Sequence, residues 1–188
     1  MGSLSSDANA NAGPSAAATD PSAQWARADH SRFVQRIRRR YVDELPLLCE
    51  GLPRTEVISA LISRLVDGGR SLASALRVTR QLVLERLAVL DVEQGASMGD
   101  ITLAMTELAE TTLNVALDQA MAEQDERYGP PLDAAGQRIE FWIIGMGKLG
   151  ARELNVSSDI DLIYVYDDAG ETLAGGRNRS SVFDARAP

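Results

Sequence analysis

Cysteine is almost absent from this chain. Cys49 stands alone among 188 residues, so no disulfide can close within the sequence. A reducing, cytoplasmic setting fits that usage. Cys49 follows Leu47-Leu48 and is expected to fill a core or interface position. His30 is the sole histidine, at an expected helix start on the surface. Neither residue indicates thiol or imidazole catalysis. Aromatic residues make up 5%, and 27 acidic against 19 basic side chains leave a net charge of −8. That balance lacks the basic footprint of a nucleic-acid binder, so no nucleic-acid partner is expected. No apolar run approaches the roughly 18 residues that span a bilayer. The N-terminus shows no basic stretch leading into an apolar one, so it does not read as a signal peptide, and no membrane partner is expected.

Residues 1–24 are rich in Ala, Ser, Asn, Asp, Gly and Pro without period, the composition of a disordered leader. A helical domain is expected over residues 25–132. Its first helix runs from about Ser31 to Leu48, capped by Ser31, with Pro46 disfavouring its last turn. The second runs from a cap at Thr55 to the Asp67-Gly-Gly69 stop. The third starts at Ser71, with Leu72, Leu76, Val83, Leu87 and Leu90 near a 3.6 period. The fourth starts at a cap on Asp100 and shows Ile101, Met105, Leu108, Thr112 and Val115 on one face. Long helices with short glycine links predict an antiparallel helical bundle. Arg36, Arg38, Arg39 and Arg40 spread around the first helix and read as a solvated face, with Glu44 placed to pair with Arg40.

Arg127-Tyr-Gly-Pro-Pro-Leu132 terminates the helices. An α/β unit is expected over residues 133–177, with an irregular tail at 178–188. Its strands are predicted at Ile139–Ile144 and Asp159–Tyr166, with a short helix after the glycines and a turn at Asp167–Gly170. The segment Phe141–Tyr166 carries the chemistry. An apolar run enters the turn Gly145-Met-Gly-Lys-Leu-Gly150, and Asp159 and Asp161 stand one residue apart before a second apolar run. On a strand, residues two apart share a face, so both carboxylates would lie side by side. Such a pair repels itself unless a hard cation intervenes, and Mg²⁺ takes oxygen ligands of this kind together with substrate phosphates. Glycines let backbone N–H groups approach a phosphate closely.

Gly145-Met-Gly-Lys-Leu-Gly150 followed by Glu153-Leu-Asn-Val-Ser-Ser-Asp-Ile-Asp-Leu162 resembles the glutamine synthetase adenylyltransferase/adenylyl-removing enzyme family. That family belongs to the DNA polymerase β-like nucleotidyltransferases. The Asn-Val-Ser-Ser-Asp-Ile-Asp form is similar to the N-terminal, adenylyl-removing half, and the resemblance covers roughly residues 32–177. It implies an α+β architecture: an N-terminal antiparallel helical bundle followed by the first strands of a truncated polymerase β-like nucleotidyltransferase domain. The implied activity is Mg²⁺-dependent transfer of AMP to or from a tyrosine of glutamine synthetase, with ATP, ADP and phosphate as substrates or products. Glutamine synthetase is the implied protein substrate, and a nitrogen-signalling protein a further partner. The implied roles place metal ions on Asp159 and Asp161, and nucleotide phosphates on Gly145, Gly147, Lys148 and Ser158. Glu153 either supports that shell or caps the short helix.

Three other readings compete. Gly145-x-Gly147-x-x-Gly150 with Asp167 spells a dinucleotide fingerprint. Only Ala151–Ser158 separate the glycines from the second strand, too few for the crossover that parallel strands need. A non-catalytic helical module binding a protein partner is a second alternative. A small-molecule nucleotidyltransferase is a third, though it would not need the long preceding helices. The family pattern also includes a third carboxylate on a later strand, which this sequence lacks. Asp167 has the right parity but would sit about 20 Å beyond Asp161 at about 3.3 Å per residue. Asp184 has no strand-like surroundings. The expectation is therefore the front end of a larger enzyme, inactive by itself.

Overall fold

The computed structural model describes residues 28–167 and 171–172. The expected leader, the turn residues 168–170 and the tail with Asp184 lie outside them. Four helices form the body: α1 (Arg32–Arg40), α2 (Thr55–Asp67), α3 (Leu72–Gln94) and α4 (Met98–Tyr128). Two small antiparallel sheets complete it, β1 (Pro131–Leu132) with β4 (Glu171–Thr172) and β2 (Phe141–Gly145) with β3 (Leu162–Tyr166). The described residues are mostly helical, in keeping with an α+β class.

Local chemistry sets the helix ends. Ser31 Oγ accepts the Val34 N–H and Ser71 Oγ the Ser74 N–H, as N-caps do. α1 stops at Arg40 rather than Leu48. The chain bends at Tyr41 and forms a separate 3₁₀ turn over Leu45–Leu47, around Pro46. α2 is capped by Arg54, not Thr55, and no side chain of its own serves. Glu107 Oε2 on α4 accepts the Thr55 N–H at 3.1 Å instead. α4 begins at Met98 with Ser97 as its cap. Asp100 is the reciprocal partner, giving its N–H to Ser97 Oγ at 3.1 Å and accepting the Ser97 hydroxyl at 2.8 Å. Gly95 takes φ +63 after α3, where a side chain would be strained.

The short links reverse the chain, so α2, α3 and α4 pack on one another while α1 lies against α3. Ile58, Leu61, Leu82, Leu87, Ala104 and Leu108 are buried between them. Each buried Leu or Ile contributes about 1.5–3 kcal/mol. Leu149 and Leu154, from beyond the helices, join the same buried cluster. Cys49 is exposed, so the expected core role fails; the bend after Pro46 turns it outward.

Arg38 departs from the solvated-face reading. It is half-buried and pairs with Asp29 and, at 2.7 Å, with the buried carboxylate of Glu85. Burial alone would lower its pKa. The Glu85 hydrogen bond and charge, with Asp29 adding to them, outweigh that and raise it. Glu44 pairs with Arg70 on the approach to α3 rather than with Arg40.

β2 and β3 align Phe141 with Tyr166 and Gly145 with Leu162. Antiparallel pairing removes the parallel βαβ unit that a dinucleotide fingerprint requires. Both strands are shorter than the sequence predicts. Ile139 precedes β2, buried and hydrogen-bonded to the Pro131 carbonyl at 3.0 Å. Asp159 and Asp161 precede β3, because the ladder ends where the partner strand reaches its glycine turn.

Candidate functional site

The site begins with the turn that leaves β2. A Cβ on Gly145 would stand 2.7 Å from Leu149 Cγ, and one on Gly150 2.5 Å from the Gly145 carbonyl oxygen. These two glycines let the chain fold back against itself. Gly147 differs: its φ is +54 and a Cβ there would meet nothing within 4 Å. It is required by backbone conformation and leaves open space in front of the turn.

A single helical turn, α5 (Gly147–Gly150), follows. It closes with the Arg152 N–H on the Leu149 carbonyl at 3.1 Å and the Glu153 N–H on the Lys148 carbonyl at 2.8 Å. This paired closure is a Schellman motif. Arg152 occupies its left-handed position at φ +60, where glycine is usual. Its guanidinium reaches Glu110 at 3.4 Å and Glu107 at 3.8 Å on α4. Glu153 therefore closes the turn through its backbone, and its side chain is exposed.

The next residues dock onto α4. Leu154 is buried, and its N–H donates to Thr106 Oγ1 at 3.2 Å. The Thr106 hydroxyl in turn donates to the Thr102 carbonyl at 2.9 Å. The Ser158 N–H is held by the Asn155 carbonyl at 3.2 Å, which leaves the hydroxyl as its remaining donor. The Met146 N–H then donates to the Asp161 carbonyl at 2.9 Å, setting the glycine turn directly beside the Asp-x-Asp segment. Asp159 and Asp161 are both exposed, as is Lys148, which has no ion pair among the described residues.

Ser158 and Asp159 form one wall of a cleft of about 440 Å³. Leu76, Arg77 and Arg80 of α3 and Met105 of α4 face them. Asp161, Gly145, Gly147 and Lys148 are not part of that lining. Of the residues expected at the site, the structure thus joins Ser158 and Asp159 in one cleft, and Asp161 to the glycine turn by backbone. Arg77 and Arg80 were not foreseen; two arginines three apart on one helix were the available signal.

No group of three or more His, Cys, Asp or Glu side chains comes together among the described residues. The two aspartates are nonetheless hard oxygen donors of the kind Mg²⁺ takes, and Mg²⁺ is commonly held by one or two carboxylates plus water and phosphate oxygens. The donor set fits that ion. No helix among the described residues is long and apolar enough to cross a membrane.

Comparison with known proteins follows the same residues. Residues 28–185 match the family model described as glutamate-ammonia ligase adenylyltransferase. A bifunctional glutamine synthetase adenylyltransferase/adenylyl-removing enzyme of Burkholderia pseudomallei is 41% identical over 136 residues, covering 70% of this chain and 15% of that protein. The protein of the same description from Aromatoleum aromaticum is 38% identical over 163 residues, 82% of this chain and 17% of its own length. That from Chromobacterium violaceum is 44% identical over 108 residues, 57% and 12%. The chain spans well under a fifth of the curated relatives it matches.

Proposed function

The chain belongs to the glutamate-ammonia ligase adenylyltransferase family, and from that premise we propose that it opens a nucleotidyltransferase site acting on glutamine synthetase. The reading takes residues 25–132 as a helical domain and 133–177 as the first part of a polymerase β-like unit, in the N-terminal, adenylyl-removing half of the enzyme. The backbone hydrogen bond from Met146 to Asp161 supports the proposal, because it brings the glycine turn beside the Asp-x-Asp segment.

In this reading Asp159 and Asp161 hold Mg²⁺, which when bound neutralises charge on oxygens around phosphorus. Gly145 and Gly147 let the backbone approach the nucleotide phosphates. Lys148 supplies a cation from an exposed position, and the Ser158 hydroxyl a hydrogen bond. The task of these residues is positioning and charge compensation, the main requirements of phosphoryl chemistry. ATP, ADP and phosphate are the substrates or products, and removal of AMP from a tyrosine by phosphate is the proposed direction. A nitrogen-signalling protein is a further proposed partner, and the cytoplasm the proposed location. A third carboxylate would come from a part of the enzyme outside the described residues, so this chain alone is proposed to bind nucleotide without turning it over.

Calorimetry tests the reading. ADP or ATP should bind this chain with an increment that requires Mg²⁺, and D159A/D161A should abolish that increment. In a full-length enzyme, Asp161→Asn should remove adenylyl-removing activity. Unchanged activity there would sink the metal assignment.

A further inference from the structure

A second cleft, of about 730 Å³, lies between α1 and α3 and is polar where the first is apolar. Arg36 and Arg40 enter it from α1, four residues apart and so on one face. Arg77 and Arg80 enter from α3, three apart on the facing side, with Arg70 at the helix approach. Arg70 is paired with Glu44. The other four guanidinium groups have no carboxylate partner among the described residues. Arg36 lies over the Phe33 ring at 5.9 Å and Arg40 over Tyr41 at 5.5 Å, which restrains both side chains.

Four cations that line one groove without a carboxylate partner among the described residues repel one another, and they do so in a chain whose net charge is −8. An anion between them removes the repulsion. Guanidinium forks match the paired oxygens of a phosphoryl group. We propose that this groove is an oxyanion site for phosphoryl groups, whether of a free phosphate compound or of a nucleotide's phosphate chain, and that it works without metal. Arg77 and Arg80 also line the Asp159 cleft, so the two sites share a wall. The groove goes beyond the proposed nucleotidyl site and does not need its aspartates.

The test is calorimetric titration of this chain with inorganic pyrophosphate in EDTA at low salt. Binding is expected, weakened about tenfold or more in R36Q/R40Q, since two charge-assisted contacts are lost. R36K/R40K should restore it only in part, because the charge returns without the fork. D159A/D161A should bind pyrophosphate no more weakly than the parent chain does, since it removes negative charge beside the shared Arg77/Arg80 wall. The four arginines are exposed, and an unchanged helical circular dichroism spectrum in each variant verifies the fold. No binding by the parent chain in EDTA, or equal affinity in R36Q/R40Q, overturns the proposal. Capture of an acidic peptide in place of pyrophosphate overturns the phosphoryl assignment. Failure of the aspartate reading shows separately, as no Mg²⁺-dependent increment with ADP in the parent chain, or as its persistence in D159A/D161A.

Discussion

Leu154 gives its backbone N–H to the hydroxyl of Thr106 across 3.2 Å, with both residues buried. This bond fastens the segment after the glycine turn to the first third of α4, 48 residues earlier in the chain.

Thr106→Val keeps the side-chain shape and removes the acceptor. A buried amide without a partner costs about 1–3 kcal/mol. The unfolding free energy should fall by that amount, read as a lower urea midpoint at unchanged slope, and the Leu154 amide should exchange faster with solvent. Thr106→Ser should recover most of the loss. An unchanged midpoint and exchange rate in the valine variant would show that the bond contributes nothing.

Arg152 separates strain from charge. Its φ of +60 costs an L-residue about 1–2 kcal/mol, while its exposed ion pairs to Glu107 and Glu110 contribute at most about 1. Arg152→Ala keeps the strain and loses the pairs, so it should destabilise. Arg152→Gly loses both and should be more stable than the alanine variant by about 1 kcal/mol. Thermal or urea unfolding of the two proteins decides it, and a glycine variant no more stable than alanine would refute the strain.

Gly150 and Gly147 should not respond alike to alanine. Gly150→Ala drives a Cβ to 2.5 Å from the Gly145 backbone oxygen, which cannot retreat as a side chain can. A loss above about 2 kcal/mol is expected, as for overpacked sites. Gly147→Ala meets open space and should cost only about 1 kcal/mol, from φ alone. Denaturant unfolding of both variants checks the order.

Arg38→Met strands the Glu85 carboxylate, which is 7% exposed. Breaking a buried pair from one side costs about 3 kcal/mol. The double variant R38M/E85M should be more stable than the single, because no charge remains unpaired. The raised pKa of Arg38 fixes the pH behaviour. A base whose folded pKa lies above its unfolded value adds stability at lower pH and loses it as pH rises through the folded value. The Arg38 contribution should therefore stay constant through neutral pH and fade only in strong alkali. A decline between pH 6 and 9 that vanishes in R38M would contradict it.

Much of the helical part could be read from local signals. Ser31 caps as expected, the third helix opens at Ser71, and the glycines near 68 and 95 end their helices. The glycine turn and the Asp-x-Asp segment were legible as letters. Two of the errors share one physical cause, partners far along the chain. Glu107 caps α2 from 52 residues away, and Glu85 claims Arg38 from 47. Neither pairing leaves a mark within one helical turn of sequence. The aspartates fall outside β3 because strand length is set by the mate, and β2 runs out at Gly145.

The docking of the glycine turn on α4 predicts a genetic pattern. Thr102, Thr106, Glu107 and Glu110 recur at helical spacing and hold, directly or through one another, the backbone or charge of residues 152–154. In a selection for restored function, second-site suppressors of lesions in the turn should gather on this one stripe of a distant helix. The heritable record of the turn would be written in sequence that never contacts its ligand.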